Sequence, residues 1–335
     1  MALDLPLIWA IVIAVGVIMY VVLDGFDLGI GILFPFFPET RDRDVMMNSV
    51  APIWDGNETW MILGGAGLLG AFPLAYSVLL SALYLPLIFM LLALIFRGVA
   101  FEFRHKAEAD HRWWDRAFAG GSFLATLMQG MALGAFIDGI AIEGRDYAGG
   151  PLDWLTPFTV CVGVALVFGY ALLGAGWLIL KTEGELQERV WRIYPILLTL
   201  VVIAIIAVSI WTPLADPRIS ERWFTWPNPL FLMPVPFLVA LIAVALVSAL
   251  RKRQDHRPFI LTLALFVLSY LGLAISLWPN IIPPDVTIWQ AASPPESQSF
   301  MLVGIVILLP VVLGYTAYSY WVFRGKVRAD MHSDY

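Results

Sequence analysis

The chain has 335 residues, of which 60% are hydrophobic and only 14% are Asp, Glu, Lys or Arg, with a formal net charge of −6. A soluble domain carries about 25% charged and about 45–50% apolar residues, so this composition excludes an ordinary water-soluble enzyme; it also excludes disorder, which needs low hydrophobicity. The single cysteine, Cys161, excludes an internal disulfide and a multi-cysteine metal site.

Long unbroken apolar runs predict helices and not the short alternating strands of a membrane barrel. The expected fold class is an all-α integral membrane protein, a single polytopic domain over residues 1–335 with nine transmembrane helices. In chain order they cover residues 5–33, 54–72, 76–97, 117–137, 155–180, 193–214, 229–250, 258–278 and 300–323. The first starts just after Asp4, has no basic residues ahead of it and is long, so it reads as a retained span and not a cleaved signal peptide. The second reaches the about 20 residues that a crossing needs only if it begins near Trp54. It then takes Asp55 and Glu58 inside the membrane boundary.

Basic residues orient the spans. All of the 20 Lys and Arg residues except Arg145, Arg218 and Arg222 follow an odd-numbered span. The N-terminus is therefore expected outside and the C-terminus in the cytoplasm. Trp211, Trp223, Trp226 and Trp289 in the outer loops read as interfacial aromatic belts, as do Tyr315, Tyr318, Tyr320, Trp321 and Phe323 at the end of the last span. The glycines Gly64, Gly65, Gly67 and Gly70 in the second span read as small residues for close helix packing.

Ionisable groups within spans are costly and mark candidate sites. Asp24 and Asp27 stand in Asp24-Gly25-Phe26-Asp27-Leu28-Gly29, and Asp55 and Glu58 in Trp54-Asp55-Gly56-Asn57-Glu58-Thr59-Trp60. Arg97, Glu102 and Arg104 stand in Phe96-Arg97-Gly98-Val99-Ala100-Phe101-Glu102-Phe103-Arg104. Each acidic pair is spaced to share one helix face. A helix begun at Leu5 carries Asp24 roughly 28 Å along its axis, near the far edge of a hydrocarbon core about 30 Å thick. The second span starts from that edge and the third ends there. Three consecutive spans thus bring carboxylates to one level on the cytoplasmic side, which suits proton uptake. The alternative is that the acids cap helices or pair with Arg97 and Arg104.

The histidines, His105, His111, His256 and His332, all fall in cytoplasmic loops or the tail, where none can reach a membrane haem as axial ligand. This chain alone is therefore expected to bind no haem and no metal. No nucleotide-binding glycine loop and no nucleophile–base pair is present, and nothing points to nucleic acid.

The acidic blocks, with Ala51-Pro52-Ile53 ahead of Trp54 and with Lys181-Thr182-Glu183-Gly184-Glu185-Leu186, resemble subunit II of the cytochrome bd-type quinol oxidases. The order and spacing match over essentially the whole chain, to the final Tyr-Trp-Val-Phe stretch, and the Trp-Asp-Gly-Asn-Glu block is the most specific element. The short loop after the sixth span is similar to the compact form associated with cyanide-insensitive oxidases. The resemblance implies two four-helix bundles plus a peripheral helix, and a heterodimer in the bacterial cytoplasmic (inner) membrane. The partner, subunit I, would carry three haems, of b or d type, and the quinol site. The complex would oxidise ubiquinol or menaquinol and reduce O2 to water with cytoplasmic protons. A small single-span third subunit and a quinone bound in subunit II occur in some members. By motif match the family's proton path falls on Asp24, Asp55 and Glu102, with Asp27 and Glu58 beside them and Trp54, Asn57, Arg97 and Arg104 in support. Gln290 stands on the outer side where some members have an acid. Two rival readings are a proton-coupled secondary transporter, which usually shows paired, interrupted spans, and a purely structural partner subunit.

Overall fold

The computed structural model describes residues 3–104, 106 and 111–327. His105, His332 and Arg328 lie outside the described residues. Among the described residues the fold is helical, with two short β-hairpins.

Helix α1 (Leu5–Leu33) starts behind Asp4, whose side chain accepts a hydrogen bond from the Leu7 amide. The chain then forms α2 (Thr40–Asn48), α3 (Trp54–Glu58), α4 (Trp60–Ala71), α5 (Pro73–Ala82), α6 (Tyr84–Arg104) and α7 (Arg112–Asp138). The hairpin of β1 (Ile142–Glu143) and β2 (Asp146–Tyr147) leads to α8 (Pro157–Lys181), which a reciprocal Thr156–Thr159 capping box begins. Next come α9 (Gly184–Ala215), α10 (Pro217–Phe224), α11 (Asn228–Leu232), α12 (Pro234–Arg251) and α13 (Arg257–Leu277). A second hairpin, β3 (Asn280–Ile282) with β4 (Val286–Thr287), and α14 (Ile288–Ala291) precede α15 (Pro295–Val322).

Among the described residues eight helical segments are long and apolar enough to cross a membrane. The stretch expected as one span over residues 54–72 is instead two helices, α3 and α4, parted at Thr59. Two prolines account for the breaks that follow. Pro73 holds Phe72 out of the helical region, with ψ at 63°, and so ends α4. Pro86 lacks an amide hydrogen and its ring crowds the carbonyl of Ala82, where α5 ends. Helix α6 then runs on to Arg104, carrying Arg97 and Arg104 two turns apart on one continuous face.

The core centres on α8, which packs against α1, α7, α9 and α13. Close approach explains the glycines at the end of α1 that bears the acids. A Cβ on Gly29 would stand 1.8 Å from the Tyr170 carbonyl oxygen, and one on Gly174 would stand 2.5 Å from the Gly29 backbone. Small residues thus let α1 and α8 meet backbone to backbone. The glycine run of α4 works the same way in part. Gly64 and Gly67 face Val17 and Ile13 of α1, Gly70 faces Met301 of α15, and Gly65 faces open space.

Candidate functional site

The acids of α1 sit three residues apart, so both project from one face. That face meets α3 and α6, and the Asp24, Asp27 and Arg97 side chains are completely buried there. Arg97 Nη2 donates to Asp24 Oδ1 at 2.8 Å and lies 3.7 Å from Asp27 Oδ2; its Nη1 donates to Glu58 Oε2 at 3.1 Å. The guanidinium also lies close to two aromatic rings. Its Cζ lies 5.1 Å from the Trp54 ring and 5.4 Å from the Phe101 ring, and Trp54 and Phe101 stack on each other at 4.9 Å.

Polar groups complete the shell. Asn57 Nδ2 donates to Asp27 Oδ2 at 2.8 Å, and Tyr320 of α15 donates to Asn57 Oδ1 at 2.8 Å. One turn along α1 from Asp24, the Tyr20 hydroxyl accepts from Gln129 at 2.7 Å, and Tyr170 donates to the other end of that amide at 3.0 Å. Three carboxylates thus face one cation. Among the described residues, Asp24 Oδ2, Asp27 Oδ1 and Arg97 Nε have no hydrogen-bond partner. An ionised carboxylate is an acceptor at both oxygens, and a buried one left unpaired is costly. The cluster therefore offers places for protons that its own cation does not neutralise.

A second buried arginine on α6 is arranged differently. Arg104 donates to Asp115 of α7 and to Asp44 of α2, each at 2.6 Å. Arg43 of α2 donates to the other Asp115 oxygen at 2.7 Å and to the Phe37 carbonyl at 2.7 Å. Both guanidiniums lie over Phe34. Two cations here match two acids.

Of the residues singled out in the sequence, Asp24, Asp27, Trp54, Asn57, Glu58 and Arg97 come together. Asp55 is exposed beside them, in the first turn of α3, where its charge is favourable, and that helix begins without a side-chain cap. Glu102 stands apart on the exposed face of α6, 3.7 Å from Lys106. Arg104 belongs to the second cluster. Tyr320 reads in the sequence as an aromatic-belt residue, but the structure turns its hydroxyl inward onto Asn57; neighbouring belt tyrosines give no local sign of that difference. Asp44, Arg43 and Asp115 fall in polar stretches of the sequence, where charge is unremarkable and nothing local signals a cluster.

Two histidines are described. His111 places Nδ1 3.0 Å from the Arg104 carbonyl, and His256 precedes α13. Both stand at helix starts outside the apolar segments, a donor set that does not fit an axial haem ligand within this chain's own helices.

A family profile described as cytochrome bd terminal oxidase subunit II matches residues 5–323. Cytochrome bd-I ubiquinol oxidase subunit 2 of Escherichia coli K12 is 29% identical, over 97% of this chain and 96% of that protein. Cytochrome bd ubiquinol oxidase subunit 2 of Bacillus subtilis 168 is also 29% identical, over 96% of each. The solved bd oxidase of Geobacillus thermodenitrificans contains a chain of similar fold, with a TM-score of 0.76 over 96% of this chain and 99% of that one, at 17% identity.

Proposed function

The chain belongs to the cytochrome bd terminal oxidase subunit II family and is a multi-pass membrane subunit of an oxidoreductase complex; from that premise we propose that its Arg97 cluster carries protons from the cytoplasm toward the oxidase's partner subunit. The carrying observation is the excess of buried carboxylates over cations at Arg97. Asp55 is the exposed acceptor, Glu58 the next acid along α3, and Asp24 and Asp27 the buried holders. Arg97 keeps the pair anchored, with Trp54 and Asn57 fixing the geometry. Glu102 is a surface acceptor near the same edge, and Arg104 secures the helix that bears both. Each acid holds or releases a proton at a carboxylate oxygen.

In this reading nine crossings arise because α3 and α4 together traverse once, in two bundles with a peripheral helix. The acidic edge and the C-terminus face the cytoplasm and the N-terminus lies outside, as the basic residues indicate. Quinol oxidation and O2 reduction to water belong to the haem-bearing subunit I in a bacterial inner membrane. The haems supply the redox chemistry there, and a third small subunit or a bound quinone adds to the complex where present. Family membership sets the transporter reading aside. A purely structural subunit is the remaining rival.

The test is Asp55→Asn in the assembled oxidase. Asn keeps size and hydrogen-bonding capacity but cannot carry a proton. Turnover per haem should fall by about 10²–10⁴-fold, or less where a parallel path exists. A wild-type value in a complex of full haem content would remove Asp55 from the path.

A further inference from the structure

Helix α15 is joined to the rest of the chain mainly at its two ends. Along its apolar window no residue is buried. At the Pro295 end, Gln298 is buried, its carbonyl accepting from Trp9 and its amide donating to the Ser293 carbonyl. At the other end stands Tyr320. Its ring meets Phe26 and Trp177 edge to face, at 6.5 and 6.1 Å, and its hydroxyl reaches Asn57.

The segment just beyond Tyr320 is clasped. Lys181, at the end of α8, donates through Nζ to the carbonyls of Phe323 and Gly325. Lys326 Nζ donates to the Thr182 carbonyl at 2.9 Å and to Asp255 at 2.7 Å. The Val327 amide donates to the Lys181 carbonyl at 2.8 Å. Five residues of tail thus run across the end of α8 and the loop after α12. Within this chain such end contacts fix the azimuth of the helix, and the azimuth decides whether Tyr320 points inward.

Resting on the proton-handling reading above, we propose that Tyr320 is a positioning residue for Asp27, acting through Asn57 and held in register by the tail clasp. The bond directions support it. The Tyr320 O–H donates to Asn57 Oδ1, which turns the amide so that its N–H donates to Asp27 Oδ2. Without the hydroxyl the amide keeps only its Nδ2 contacts, to Asp27 at 2.8 Å and to the Leu23 carbonyl at 3.4 Å, so its N–H is held less firmly on the carboxylate. The other charged and titratable groups about Asp27 are Arg97 from α6, Glu58 from α3 and Asp24 from its own helix. None of these fixes the amide.

The experiment uses the purified oxidase complex with quinol as reductant. Turnover per assembled haem is followed against pH for wild type, Tyr320→Phe, Asp27→Asn and the double variant. Tyr320→Phe keeps the ring between Phe26 and Trp177. It should hold full haem content, lower turnover about 2–10-fold, less than loss of a full proton carrier, and move the pH profile by about half a unit or more. Because Tyr320 acts through Asp27, the double variant should match Asp27→Asn alone and not add to it. Tyr318→Phe, on an exposed neighbouring ring, should behave as wild type. A wild-type profile for Tyr320→Phe, or additive losses in the double variant, overturns the proposal while leaving the carboxylate reading standing if Asp27→Asn is slow. A wild-type Asp27→Asn removes both. If Tyr320→Phe lowers haem content, Asn57→Ser breaks the same bridge from the other side, and an unchanged pH profile there overturns the proposal equally.

Discussion

Arg97 and Arg104 lie two turns apart on α6, both are buried, and both gather carboxylates from other helices. Their surroundings differ in balance. Arg104 and Arg43 meet Asp44 and Asp115, cation for anion, and both Asp115 oxygens are paired. Arg97 meets Asp24, Asp27 and Glu58 alone, with an oxygen of each α1 acid left over. A balanced buried network fastens elements and has little reason to exchange protons. An overfilled one has carboxylates that protonation relieves. Burial alone does not separate the two clusters; under the proposed function the ratio of charges does.

The largest expected effect is at Arg97. Arg97→Gln leaves buried carboxylates without their cation, a loss typically of about 3–5 kcal/mol. The complex should fail to assemble, read as loss of haem and of the subunit from the membrane. Retained assembly with normal turnover would erase the distinction between the two arginines.

Asp115→Asn should cost less, about 1–3 kcal/mol, because Arg104 keeps Asp44 and Arg43 keeps the Phe37 carbonyl. Thermal inactivation should come earlier, yet turnover per remaining haem should be unchanged with an unchanged pH profile. A slowed per-haem rate would show that the balanced cluster also handles protons.

The tail clasp gives a pH-dependent contrast. Burial works against the Asp255 carboxylate, but hydrogen bonds from Lys326 and Gln187 and the Lys326 charge outweigh it and hold its pKa below the usual range. A carboxyl lowered in the folded state contributes stability above its unfolded pKa of about 3.9, and that contribution is lost as pH falls through the lower folded value. Tail amides such as that of Val327 should stay protected from hydrogen exchange near neutrality and lose protection only in strong acid. Loss of protection between about pH 6 and about pH 5, where a histidine can titrate, would assign the clasp to another group.

Glu102→Gln should have the smallest effect. The side chain is 64% exposed and, among the described residues, pairs with an exposed lysine, an arrangement worth about 0–1 kcal/mol. Turnover should fall less than tenfold, since Asp55 is itself exposed and, in the proposed path, takes up protons without Glu102. A loss as large as that from Asp55→Asn would put Glu102 on the main route.

Much of the Arg97 cluster was legible because its members stand in short motifs. Asp24 and Asp27 share a face by helical spacing, and intramembrane charge is rare enough to stand out. The limit of that logic shows at Asp55 and Glu58. They have the same spacing, but the edge of the site falls between them, so one pairs with Arg97 and the other faces out. Spacing defines a face, not how far its neighbour extends.

By itself the sequence determined that the protein is helical and built for a membrane, because apolar content and run length leave no other way to satisfy the backbone. It also determined which ionisable groups are expensive, and family membership follows from the same motifs. Only the tertiary structure decided the pairings. Tyr320 reaches Asn57 across 263 residues of chain, and Arg104 reaches Asp44 across 60. Such partners are set by where helices cross, and crossings depend on side-chain volumes at many contacts, such as the meeting of Gly29 with Gly174, which local pattern does not encode.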